Sequence, residues 1–550
     1  ILTGGPGTGK TAVALHRAAY LLYTNRERLA KAGVLVVGPS NSFMWYIERV
    51  LPSLGETGVV MASLATLYPG LQAVAEKSRK VAALKGELRM VKVIERAVAD
   101  RQKVPQEAQQ LNVEGTDVEL TPEMVRSARA RARATGKPHN EARETFVKIL
   151  LRELTTALDE QLNKAAGRVV ERPYLQDDVR GSLDVRRALN LAWMPLSPET
   201  LVRSLFSKQH YLISATPDFT AQERALLARE ADAPFTEADV PLLDEAAELL
   251  GDFSKVTGAA AAARAAAEHQ ANLENAAKAL ENVHQSLADV GADGVVTAEQ
   301  IAAMNETVRE RMTAAAAAQS DRTWAYGHIV VDEAQELSPM QWRLLMRRCP
   351  MKSLTVVGDI AQASSAAAAS SWEQALEPFV GERFTLDELT INYRTPAQIS
   401  DAAVAVARSA GYEVSAPRAV RQGDWGPQVH HVPAERVVAE TVSVVNREVE
   451  HSGGALIGVI CPPDEYIAVA QAVGRAQTGR TGTAQDALEN QVLVLTPWEA
   501  KGLEFDVVVI VEPQRLIDDA LGAVGDLYVS MTRPTQRLHL VGDRMPEGLE

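Results

Sequence analysis

The sequence predicts an α/β fold of two lobes built on parallel sheets, the first interrupted by a large, mainly helical insertion. Three observations carry that expectation. Short apolar runs alternate with helical stretches, and glycine-rich and charged signatures fall at the tips of those runs. The separation of the first two signatures, residues 11–331, is also much longer than a crossover needs. At 550 residues and 46% hydrophobic composition, the chain exceeds one usual domain, so several modules are expected. Their expected extents are 1–70 for the start of the first lobe, 71–215 for a helical insertion, 216–321 for an acidic and alanine-rich insertion, 322–375 for the end of the first lobe, and 376–550 for the second lobe.

The first signature, GGPGTGKT at residues 4–11, matches the phosphate-loop pattern and precedes an amphipathic segment from Ala12 to Tyr23. In such a loop the backbone of Gly7, Thr8 and Gly9 faces phosphate oxygens at a helix N-terminus. Lys10 neutralises the β and γ oxygens, and the Thr11 hydroxyl is suited to Mg²⁺. Downstream, HIVVDEAQ places Asp332 and Glu333 after the apolar run Ile329 to Val331, as a buried strand with carboxylates at its tip would. Asp332 is the expected Mg²⁺ ligand and Glu333 the expected general base for an attacking water. An acidic pair after a strand is also an ordinary helix cap, and the phosphate loop is what favours the catalytic reading.

A third apolar run, Leu354 to Val357, ends in GDIAQ, where Gln362 is a candidate γ-phosphate sensor. LTINYRT supplies Tyr393 and Arg394, and LYVSMTRP supplies Arg533. Either arginine suits a surface ion pair as well as a finger. Fingers that complete a phosphate site are worth roughly 10³ to 10⁵ in rate, so a motor needs them.

Taken in order, GGPGTGKT, VVDEAQ, GDIAQ, NYRT, TPWEAKGLEF and YVSMTR resemble the UvrD, Rep and PcrA group of superfamily 1 helicases, from Gly4 to Arg533. The resemblance implies two RecA-like P-loop NTPase lobes. It makes Lys10, Thr11, Asp332, Glu333 and Gln362 first-lobe ATPase residues and Arg394 and Arg533 second-lobe fingers. It also implies that Tyr393 stacks on the base, that Glu504 contacts the ribose, and that Gly502 permits close backbone approach. The family's adenine-reading glutamine would lie before the phosphate loop, so ATP and GTP both remain open.

The departures fall on residues that hold a nucleic-acid strand. After Gln362 the family carries stacking aromatics, and Ser365, Ala366 and Ala367 stand in those places. A lost stacking aromatic costs roughly 1 to 3 kcal/mol per base. Ser42 replaces an expected phosphate-contacting lysine, and Trp498 an expected histidine. Only residues 395–495 separate Arg394 from Thr496, where the helicases insert a whole domain.

This combination, with the phrases Val34 to Glu56, Val81 to Met90 and Arg322 to Leu345, resembles the HelD family of bacterial RNA-polymerase-associated motors. That resemblance implies binding to core RNA polymerase, clamp opening and release of nucleic acid by a monomer bound to the polymerase. Contact with nucleic acid would be weak or indirect. A 3′ to 5′ DNA helicase with rebuilt strand contacts is the first alternative. The second is a channel-occupying factor, possible antibiotic protection included, with nucleotide as its reset.

Within the insertion, residues 77–103 carry nine basic and three acidic residues with apolar positions at helical spacing, which predicts an amphipathic helix. Residues 230–254 hold eight acidic residues and no lysine or arginine, read either as a nucleic-acid mimic or as a plain acidic surface. The alanine-rich stretch 258–318 predicts helices that need a partner surface. The net charge of −14 favours a basic protein partner over a DNA track. Two cysteines without metal spacing and no apolar run long enough for a membrane predict a cytoplasmic chain, and the HelD resemblance implies association with the nucleoid through the polymerase. Ile1 opens the chain on the end of a strand, which predicts a piece of a longer protein, and the HelD resemblance implies that the N-terminal arm is the part it lacks.

Overall fold

The computed structural model describes residues 1–38, 44, 59–166, 172–253, 321–363, 369, 371–412, 414, 416–451, 453–482, 490–518 and 523–549. The chain divides into two compact units, Ile1–Glu87 with Pro234–Val240 and Thr313–Glu550, and Leu88–Ala233 with Pro241–Met312.

The first unit holds the two expected parallel sheets. One runs in the order Val59–Ser63, Val34–Gly38, His328–Val331, Leu354–Gly358, Leu2–Gly4, Asp387–Leu389, with every pairing parallel. Its central runs VLVVG and HIVV are buried along their whole length, as strands covered on both faces must be. Ala14, Leu15, Ala18 and Leu22 of the helix Lys10–Thr24 pack with Val34, Val36, Val330 and Val357 on one face. The second sheet runs Gln428–His431, Pro534–Gly542, Phe505–Val511, Ile457–Ile460, Val492–Leu495, Thr481–Gly482, again with all pairings parallel. Its two faces are closed by separate cores, one around Phe505, Ile510 and Leu540, the other around Val459, Val494 and Val509. Parallel strands put their C-terminal tips on one edge, which is where the phosphate loop and the carboxylate pair emerge.

The division at Glu87 differs from the expected boundary near residue 70. Residues 71–87 and 234–240 stay with the lobes because they hold each other. Val74 N donates to Phe235 O at 3.0 Å, and Glu237 N donates to Val74 O at 2.9 Å. The amphipathic stretch 77–103 is correspondingly two helices, Arg79–Gly86 and Arg89–Ala99, with Leu88 between them 39% exposed. The acidic stretch divides. Asp239, Asp244 and Glu245 are buried, and Asp239 pairs with Lys85 at 2.9 Å, whereas Glu230, Asp232, Glu248 and Asp252 are exposed, so the run is an exposed acidic surface only in part.

The second unit does not break near 215. Its core joins the hairpin Gln109–Val113 and Thr116–Leu120 to the helices Pro122–Arg133, His139–Ala166, Arg172–Gly181 and Leu183–Ala192 around Phe146 and Trp193. Glu114 and Gly115 both take positive φ, the two-residue turn that matches strand twist. The alanine-rich stretch 258–318 lies outside the described residues, as do Ser42, Ser365, Ala366 and Ala367. Both cysteines are buried free thiols. Among the described residues, no helix is long and apolar enough to cross a membrane.

Candidate nucleotide site

The phosphate loop turns on glycines that no other residue replaces without strain. Gly7 has φ 72° and Gly9 φ 82°, both left-handed, and a Cβ at Gly7 would lie 2.2 Å from Asn392 Oδ1. Gly9 caps the helix Lys10–Thr24. Thr8 Oγ1 donates to Gly5 O at 2.9 Å, and Lys10 Nζ donates to the carbonyls of Gly4 and Gly5, the latter at 3.0 Å. The ammonium is thus folded onto its own loop, and burial lowers its pKa. Tyr393 N donates to Gly7 O at 3.0 Å, so the NYRT segment also braces the loop, while the Tyr393 ring is 60% exposed.

The carboxylates stand where the strand tip delivers them. Asp332 N donates to Val37 O at 2.9 Å, and Asp332 Oδ2 accepts from Thr11 Oγ1 at 2.6 Å. A hydroxyl and a carboxylate at this spacing are hard oxygen donors of the kind Mg²⁺ takes, so the residues present suit the ion. Glu333 takes φ 49°, a left-handed conformation unusual for glutamate. Its carboxylate accepts from Gln335 Nε2 at 2.6 Å. Burial, then the Glu333 charge, pushes Asp332 up to about 6. Burial pushes Glu333 in the same direction, but Arg533 and Lys10 hold it below the usual carboxylate range.

Gln362 is buried, and its Nε2 donates to Asp359 Oδ2 at 2.6 Å. Its amide is therefore engaged by Asp359 here. Arg394 reaches Glu504 Oε1 at 2.6 Å through Nη1, and its buried Nε has no hydrogen-bond partner among the described residues. The residue that the helicase resemblance assigns to the ribose, Glu504, is thus the ion-pair partner of Arg394. Gly502, at φ 79°, supplies the turn that precedes it. Arg533 is buried, donates from Nε to Val529 O at 3.1 Å, and is lowered to about 10 by burial and by Arg394. Its charge also bears on Glu333 and Asp332.

Several residues that the motifs did not single out complete the site. Gln335 joins two motifs, since its Oε1 accepts from Asp359 N at 3.1 Å while its Nε2 serves Glu333. Asn392 Oδ1 accepts from the backbone N–H groups of Arg394 and Thr395 at 3.0 and 3.1 Å, which fixes the turn that carries the finger. Lys501 is buried between Glu336 Oε1 at 2.8 Å and Asp526 Oδ1 at 3.4 Å. Burial opposes its charge, yet Glu336 and Asp526 hold it protonated above its ordinary range. Trp498, which replaces the expected histidine, sets its ring 4.6 Å from the Lys501 ammonium. The signal for Gln335 was its place inside DEAQ. Glu336 and Asp526 carried none.

Comparisons with known proteins follow this geometry. Residues 237–368 match the family model described as an AAA domain. That stretch contains Asp332, Glu333 and Gln362, and the phosphate loop lies outside it. No curated protein matches the chain. Among solved structures, a crystal structure of the C-terminal domain of a possible DNA helicase from Lactobacillus plantarun WCFS1 is similar at 24% identity, over 28% of this chain and 91% of that one, with a TM-score of 0.23. With its parallel sheets, phosphate loop and AAA-domain match, the chain has the α/β fold of the P-loop NTPase class.

Proposed function

We propose that the chain is an NTP-hydrolysing motor that binds core RNA polymerase, opens its clamp and helps release nucleic acid to recycle the enzyme. The observation that carries the hydrolytic half is the convergence of Thr11, Asp332 and Glu333 with two second-lobe arginines, Arg394 and Arg533. ATP or GTP is the substrate, and Mg²⁺, when bound, would supply neutralisation of phosphate charge. Thr11 and Asp332 would hold the ion. Lys10 leaves its carbonyl partners for the phosphates, and Glu333, kept ionised by Arg533 and Lys10, takes the proton of the attacking water. Arg394 and Arg533 place positive charge where it develops in the transition state.

Support for the polymerase half comes from the sequence. Hydrolytic residues are intact, whereas Ser42, Ser365, Ala366 and Ala367 stand where the helicases hold their strand. Trp498 packs on Lys501, an arrangement that does not need a bound base. Gel filtration with core RNA polymerase, with and without nucleotide, tests this. Co-elution is expected, and no co-elution under any nucleotide condition overturns it. Nucleic-acid-stimulated hydrolysis with duplex unwinding would instead favour a 3′ to 5′ helicase.

A further inference from the structure

The two segments 71–87 and 234–240 form a buckle at which the chain leaves the first unit after Glu87 and returns to it at Pro234. Their backbones are paired through Val74, Phe235 and Glu237, and the Lys85 ammonium lies between Glu76 at 3.1 Å and Asp239 at 2.9 Å. Arg79 belongs to this buckle and ion-pairs with Asp526 Oδ2. The other oxygen of the same carboxylate, Oδ1, faces Lys501 Nζ at 3.4 Å. Lys501 in turn reaches Glu336 at 2.8 Å, and its charge bears on Glu333. Asp526 also lies in the helix Ala523–Met531, just before Arg533.

From this chain of alternating charges, we infer that Arg79 is a positioning residue for nucleotide hydrolysis, acting through Asp526 and Lys501 on the carboxylates that follow the Asp332 strand. The inference rests on the hydrolytic reading above. The reasoning is electrostatic. Lys501 is almost wholly buried, so its charge is shared between the carboxylates that face it, with little screening by water. Arg79 neutralises part of the Asp526 charge and leaves Lys501 committed to Glu336 and Glu333. Without Arg79, Asp526 draws Lys501 toward itself and away from Glu336 and Glu333.

Steady-state hydrolysis of ATP and GTP with Mg²⁺ by the full chain tests this in wild type, Arg79→Ala and Arg79→Lys. Arg79→Ala is expected to lower kcat by about three- to tenfold with KM within about twofold, and Arg79→Lys to restore most of the rate. Thermal melting separates this from a structural role, since the Arg79→Ala midpoint is expected to stay near wild type. Unchanged kcat in Arg79→Ala, a loss confined to KM, or a loss that tracks a lowered melting midpoint and is not rescued by lysine overturns the inference alone. A wild-type chain that hydrolyses neither nucleotide overturns the hydrolytic reading and this inference with it.

Discussion

Thr11 Oγ1 donates to Asp332 Oδ2 at 2.6 Å, a contact between residues 321 positions apart in the chain. It closes the phosphate loop against the strand tip of the first sheet. The residues between them include the whole second unit, so the nucleotide site is assembled only after that long excursion returns to the sheet.

Arg394 is the candidate finger most easily separated from folding, since the turn that carries it is fixed by Asn392. Arg394→Ala is expected to lower kcat by about 10² to 10³-fold while nucleotide affinity, read by a fluorescent analogue, changes by no more than a few-fold. A large loss of affinity with kcat retained would place Arg394 in ground-state binding instead.

Glu237 gives a stability prediction with an unusual sign. Burial raises its pKa from 4.5 to about 7, against a hydrogen bond from the Glu76 backbone that lowers it, and the Glu76 and Glu336 charges add to the rise. A carboxyl whose folded-state pKa is raised contributes stability below the unfolded value, and that contribution is lost as pH climbs from 4.5 through 7. Glu237→Gln should therefore stabilise the chain at pH 8, by roughly 1 to 3 kcal/mol, and do little at pH 4.5. A melting midpoint at pH 8 below that of wild type would contradict the assignment.

The sheets and the nucleotide motifs were legible because parallel strands buried on both faces read as unbroken apolar runs, with the chemistry at their tips. The ion pairs were not. Lys501 reads as part of AKGLEF, and nothing local announces that Glu336 and Asp526 converge on it from distant segments. The acidic run was legible only in part, because an exposed carboxylate and one that meets a buried cation, as Asp239 meets Lys85, have the same composition. The break at Leu88 was missed because Val81, Leu84, Val91 and Ile94 keep helical phase across it.

Lys501 itself should be intolerant of change. Lys501→Met removes the buried cation that Glu336 and Asp526 share, while Asp526 keeps its ion pair with Arg79, at a cost of about 3 to 5 kcal/mol. Denaturant unfolding of the first unit should show that loss. A variant as stable as wild type would mean that the two carboxylates are neutralised in another way.

His139 marks the second unit as acid-sensitive. Its Nε2 donates to Met194 O at 2.9 Å, which leaves Nδ1 to accept from Gln102 Nε2 at 3.1 Å. A second ring proton would face that amide, and burial lowers the pKa from 6.5 to about 4. A histidine with a depressed folded-state pKa loses its contribution as pH falls from 6.5 to 4. The melting midpoint of this unit should drop across that window, and by less in His139→Gln. Equal drops in both would show that other groups set the acid limit.

The most direct measurement of the central claim is steady-state hydrolysis of ATP and GTP by the chain with Mg²⁺, compared with Glu333→Gln. The account expects hydrolysis in wild type and a loss of several orders of magnitude in the variant, with nucleotide binding retained. Hydrolysis undiminished in Glu333→Gln, or no hydrolysis of either nucleotide by wild type under any condition, would contradict it.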